Sequence, residues 1–285
     1  MFKTRLPALS VLVFFIATAL FGISCKDQKN IDRIFKSTSN VTVKENKVNI
    51  EDYFPGPNFM KILRAENKSI NLGQSQRDTL TKWHIENRSQ VTTGLRQISA
   101  LDHKIKYLSQ EGASSEQILK QLEEREKVVR KIVVIEMNCR DLLRKTLNTL
   151  QWKKLICKYK EEHPFIERTE MMEVMSHVNP VPNYIQALKA SIEKLNLSEW
   201  QRQKFDEWSD QHHSEMIKWA KNIIALEKEI YEKWFDNDPE EKLLGKFEDI
   251  QKLRTNIVTT KTACRNMVKH TLTQEQWGLL TTYTN

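Results

Sequence analysis

The six residues Leu272–Trp277, LTQEQW, stand eight positions from the end of the sequence and read as the start of a helix. Thr273 is an N-cap residue whose hydroxyl accepts from the free backbone N–H of Gln276, while the Gln276 side chain reaches back to Thr273; together they make a capping box. Leu272 precedes the cap and Trp277 lies at the fourth helical position, so the two close over the helix start as a hydrophobic staple. The device recurs as LNTLQW at 147–152, LNLSEWQRQKF at 195–205 and INLGQSQRDTL at 70–80. The caps there are Asn148, Ser198 and Gly73, preceded by Leu147, Leu197 and Leu72 and followed three positions later by Gln151, Gln201 and Gln76. Gly73 is the weakest of them, having no side chain to cap with.

These stretches form two matched pairs. Leu72 to Leu147 is 75 residues, as is Leu197 to Leu272, and the pairs are displaced by 125. Aligned without gaps at that offset, 28 of the 107 pairs between 54–160 and 179–285 are identical, several-fold above chance. PGPNFMKILRA matches PVPNYIQALKA, Trp83 matches Trp208, Cys139-Arg140 matches Cys264-Arg265, and Trp152 matches Trp277. Composition alone would not hold these in one register, so the chain reads as a tandem duplication.

The fold class expected is all-α, as two tandem helical hairpins. Only 7 Gly and 7 Pro occur, 29% of residues are charged, and no stretch alternates with period two. In the first repeat Val91, Leu95, Ile98, Leu101, Ile105 and Leu108 recur at helical spacing up to Gly112, a helix of about 55 Å. A second long helix follows SSEQ in one repeat and DPEE in the other. Its seams run through Ile118, Leu122, Val129, Ile132, Cys139 and Leu143, and through Leu243, Phe247, Ile250, Ile257, Cys264 and Val268. The last box of each repeat adds a shorter helix.

At the other end, Lys3 and Arg5 precede an apolar run from Leu9 to Ile23, followed by Ser24 and Cys25. Residues 1–24 read as a secretory signal, and the pattern resembles a bacterial lipoprotein signal with Cys25 as the lipidated first residue. An uncleaved membrane anchor is the alternative. Residues 25–53 lack an apolar stripe and read as a flexible tether. Lys26 rather than Asp after Cys25 favours the outer membrane, facing the periplasm.

Charge divides unevenly. Residues 54–160 carry 21 Lys and Arg against 11 Asp and Glu, whereas 179–285 carry 15 against 16. The first repeat is basic. An exported chain rarely meets nucleic acid, so acidic lipid, lipopolysaccharide or unfolded protein is the expected partner. The connector 161–178 has five acids and one Arg and is expected to be solvated.

Paired motifs bracketing a helical hairpin resemble those of the Spy/CpxP group of periplasmic proteins, marked by two LTxxQ motifs. LTQEQW fits fully, LNLSEWQ and LNTLQ with one change in the cap region, and INLGQSQ least well. PGPNFM and PVPNYI echo the PNPM-like stretch of heavy-metal-responsive relatives. The resemblance implies a curved antiparallel helical dimer and a role in envelope stress, ATP-independent chaperoning or metal response. Two repeats in one chain would make that dimer internally, as a monomer with an internal pseudo-dimer, with a homo-dimer as the alternative.

Catalysis finds no footing: there is no nucleophile elbow, no Gly-rich phosphate loop and no metal-ligand spacing, and no cofactor is expected. A non-enzymatic scaffold for another envelope protein is a further possibility. His212, His213 and Met216 lie close on one helix and are either solvated or ligands for zinc or another transition metal. Cys139 and Cys264 hold equivalent seam positions and are either buried free thiols, a disulfide with each other or, for Cys139, with Cys157, or metal ligands. Trp200, Trp219 and Trp234 occur only in the second repeat, either as packing or as an exposed apolar grip on unfolded clients. The repeated Arg77, Arg202, Arg140 and Arg265 suggest salt bridges across the hairpins.

Overall fold

Four helix starts set the course of the chain in the computed structural model, which describes residues 56–168, 171–236 and 238–284, all within one compact unit. The signal, the tether and Cys25 lie outside the described residues. Every regular element among the described residues is helical. The first half contains α1 (Phe59–Ala65), α2 (Asn67–Ile70), α3 (Gln74–Glu111), α4 (Ser115–Thr146) and α5 (Thr149–Glu162). The second contains α6 (Met171–Val178), α7 (Tyr184–Leu195), α8 (Glu199–Lys233), α9 (Glu240–Thr271) and α10 (Gln274–Thr281).

Three of the four boxes form in full. Asn148, Ser198 and Thr273 accept from the backbone N–H of Gln151, Gln201 and Gln276, and each Gln side chain accepts from its cap's N–H. At Gly73 only the second bond exists, from its N–H to Gln76 Oε1 at 2.8 Å. The Gln side chains also act at long range. Gln76 donates to the carbonyl of Thr146, at the end of α4, and to Gln151 Oε1. Gln201 donates likewise to the carbonyl of Thr271 and to Gln276 Oε1, both at 2.9 Å. Each pair therefore braces the two ends of one hairpin while satisfying a carbonyl that the helix terminus leaves free.

α3 packs along α4, and α8 along α9, as two hairpins. All twelve seam residues of α4 and α9 are buried. At Gly94 a Cβ would come within 2.9 Å of Ile132 Cδ1, so the absent side chain is what lets α3 approach α4. The first hairpin turns at Gly112, which ends α3 at φ +83° with its N–H on Ser109 O while the Ala113 N–H reaches Leu108 O. In the DPEE stretch before α9, Asp238 pairs with Lys242 at 3.2 Å and Pro239 holds the N-cap position.

The hairpins join through α4 and α9, which run antiparallel. Gln251 donates to Glu126 O near the middle, and Arg130 pairs with Glu248 beside it. Toward the ends, the base of each hairpin holds the tip of the other. Arg144 donates to Asp236 O, and its counterpart Lys269 donates to Glu111 O. Arg265 donates to the carbonyls of Ser109 (2.9 Å) and Ala113 (2.5 Å), whereas Arg140 lies over the Trp234 ring. These arginines therefore act on the free carbonyls and aromatic face of the opposite tip rather than in salt bridges across a hairpin. Arg77 caps Leu72 O. At the two bases, the buried residues Phe59, Leu63, Leu80, Cys139 and Leu155 have as counterparts 125 positions on the buried Tyr184, Leu188, Phe205, Cys264 and Leu280.

Two expectations need correction. The connector is not solvated along its length: α6 packs on α8, with Val174, Met175 and Val178 buried in the main core. His177 meets Glu227 at 2.8 Å, Glu227 also meets Arg254, and Tyr231 donates to His163 O. Two of its acids pair, Glu167 with Lys228 and Glu173 with Arg168. The disulfide between Cys139 and Cys264 is also absent, and the three described cysteines are free. The helices cross near Glu126 and Gln251, so each thiol sits about 13 residues, or about 20 Å, from the crossing and in opposite directions. Cys157 is exposed and joins neither.

Candidate functional site

The PxPN segment before α7 and the first turns of that helix lean against α8 and α9 without filling the space between them. Asn183 caps α7 by accepting from the Gln186 N–H. Asn179 turns the preceding segment by accepting from the Val181 N–H, which lets Val181 bury against Ile105, Ile118, Leu122 and Val258. The result is a pocket of about 330 Å³. One wall is Ile185 and Lys189 of α7, with Tyr184 at its base. The facing wall is α8, with Trp208, Ser209, His212, His213, Met216 and Ile217; Met175 closes one side, and Lys261 and Cys264 of α9 line the floor.

Lys261 is the unexpected member. It is 5% exposed, and its ammonium donates to Val181 O at 3.0 Å. Burial lowers it from 10.5 to about 8. The same burial pushes the Cys264 thiol up to about 12, with Lys261 and a hydrogen bond from Trp208 opposing, so the sulfur is held as the neutral thiol. Tyr184 is raised to about 12 for the same reason, and its hydroxyl shares a 3.0 Å hydrogen bond with Ser109. The equivalent position in the first half is Glu136, also buried, with Oε2 lacking a hydrogen-bond partner. Lys261 stands between Ile257 and Cys264 in the apolar stripe, and Glu136 between Ile132 and Cys139. A charge in seam register was a readable signal that the sequence reading passed over.

The proposed metal ligands His212, His213 and Met216 line this pocket together, with Cys264 opposite. The His212 ring lies 4.0 Å from that of Trp208, and His213 is exposed. Among the described residues no three His, Cys, Asp or Glu side chains come close enough to hold an ion. A second cavity of about 230 Å³ lies where the connector meets α8, lined by His163, Phe165, Arg168, His177 and Tyr231.

The three tryptophans do not share a face. Trp200 is 59% exposed, Trp219 packs half-buried on the main core, and Trp234 is fully buried beneath Arg140 at the hairpin tip. The aromatic bulk of Trp234 is what the opposite hairpin's base closes upon, which removes it from any client-facing surface. Large exposed apolar side chains are spread over the chain, with Ile166 in the connector, Ile192 and Trp200 in the second half, and Ile85 and Tyr107 on α3 and Leu150 on α5 in the basic half. Each of the last three has exposed cations three or four positions away, Lys82 and Arg88, Lys104, and Lys153 and Lys154 respectively, hence on the same helix face. Comparison with known proteins finds no matching family model, no similar curated protein and no similar solved structure.

Proposed function

We propose that this chain is a lipid-anchored protein of the bacterial envelope, tethered at Cys25 to the outer membrane and facing the periplasm, which holds partly unfolded proteins without nucleotide, cofactor or catalysis. In this reading the two halves descend from a duplicated hairpin and form an internal pseudo-dimer. The observation that carries it is the pair of braces, Gln76 with Gln151 and Gln201 with Gln276, which tie LTxxQ-like motifs together across each hairpin. The alternation of exposed apolar and cationic side chains along α3 and α5 suits a client that offers both greasy segments and acidic ones. The chain from residue 26 suppresses aggregation of a denatured client, and suppression weakens with added salt as the cations are screened. A saturating excess that leaves the client aggregating as fast as buffer does refutes the proposal.

A metal-responsive role is the second reading, favoured by the convergence of His212, His213, Met216, Met175 and Cys264 on one pocket. It requires zinc, copper or nickel retained through dialysis and lost in the His212→Ala/His213→Ala variant. Apo protein after metal loading and dialysis excludes it.

A further inference from the structure

The pocket between α7, α8 and α9 has a buried cation and no buried anion to match it. Lys261 is 5% exposed, and of the three N–H groups an ammonium offers, one reaches an acceptor, the carbonyl of Val181. The remaining titratable groups on the lining are Lys189, His212 and His213, with Tyr184 and Cys264 held neutral by burial; no Asp or Glu lines it. The rest of the lining is mainly apolar, Ile185, Trp208, Met216 and Ile217 among it, with Asn183, Gln186 and Ser209 as its uncharged polar members. Enclosing an ammonium this way is unfavourable unless an acceptor-rich anion joins it.

We propose that this pocket binds a small acidic amphiphile, an acyl chain ending in a carboxylate, whose head group is received by Lys261. A carboxylate supplies the missing acceptors and the missing negative charge, and the apolar walls take the chain. A smaller cavity of about 100 Å³ shares Ile185, Lys189 and Ser209 with the pocket and continues over Leu188, Ile192, Leu197 and Phe205, with Arg202 and Asp206 also lining it. It extends the apolar track outward along α7, which lets the tail run away from the head. The site belongs to the second half alone, because Glu136 stands at the equivalent position of the first and offers no cation to receive a carboxylate. This binding is independent of client holding, which uses the exposed faces of α3 and α5.

The test is calorimetric titration of the chain from residue 26, which contains every described residue, with decanoate and with decanol in detergent-free buffer near neutral pH. One decanoate binds per chain, and decanol binds at least about tenfold more weakly, because it lacks the charge that Lys261 requires. Lys261→Met lowers decanoate affinity at least about tenfold and leaves decanol affinity unchanged. Ser209→Trp, which fills the mouth without touching Lys261, weakens both ligands and serves as the deciding variant if Lys261→Met does not fold. Equal affinity for decanoate and decanol, absence of saturable binding, or a Ser209→Trp or folded Lys261→Met protein that binds decanoate as the unaltered chain does overturns the proposal.

Discussion

Neutralising Glu136 should stabilise this protein at alkaline pH and leave it unchanged at acidic pH. The side chain is 4% exposed on α4, and its Oε2 has no hydrogen-bond partner. Burial pushes its carboxyl up from 4.5 to about 7. The unfolded chain restores the ordinary value, so the two states differ in proton affinity by about 2.5 pH units, equivalent to about 3 kcal/mol. Below pH 4.5 both states hold the proton, and the folded protein has its full stability. Between 4.5 and about 7 the unfolded chain releases the proton while the folded protein keeps it, so stability falls as pH rises. Above that window the loss is complete. Glu136→Gln keeps the shape and removes the titration. Urea unfolding followed by far-UV circular dichroism, from about pH 4 to about pH 8, should give a difference near zero at the acid end. At the alkaline end the variant should be more stable by up to about 3 kcal/mol. A difference that is constant across the range, or one that favours the unaltered chain at high pH, would show that the carboxyl is not held uncharged by burial.

Other outcomes follow from the braces, the turn and the thiols. Gln201→Ala removes the bonds to Thr271, Gln276 and Ser198 from a buried site and should cost about 2–3 kcal/mol in urea unfolding, with Gln76→Ala costing less because Gln76 is only half-buried. The Gln201→Ala/Gln276→Ala double variant should fall short of the sum of the singles; strict additivity would deny the pairing. Gly112→Ala meets both a left-handed backbone and the Lys269 ammonium, and a loss of about 1–2 kcal/mol is expected; an unchanged midpoint would contradict the turn described. Of the described cysteines, Cys157 should react with a thiol reagent in the native state, and Cys139 and Cys264 only on unfolding. An intact mass short of two hydrogens, mapped to Cys139 and Cys264, would refute their separation.

The parts of this fold that were legible in the sequence depend on neighbours close along the chain. A cap and a Gln three positions later are one local unit, and a seam at three- and four-residue spacing is a property of a single helix, so Thr273, Gln276 and the stripe from Ile118 to Leu143 could be read directly. Gln76 on Gln151 was not legible, because each Gln had a complete local task and its long-range bond arises only when two helix ends meet. The connector misled through its acids, of which Glu167 finds its partner, Lys228, on another helix. Trp234 misled through its absence from the first repeat, where Ser109 stands; a residue confined to one repeat invited a surface role, yet it fills a tip. The pocket was not legible because a lysine on a charged helix carries no local mark of burial; only the place of Lys261 between Ile257 and Cys264 in the stripe puts it in the core.

The latching of each hairpin's tip by the other's base has a bearing on how the molecule is made. Arg265 and Lys269, which seize the carbonyls at Ser109, Glu111 and Ala113, are separated from them by more than 150 residues. A nascent polypeptide can coil its first two long helices early, but their turn stays unfastened until α9 has been made. Completion of the first hairpin therefore waits on the second.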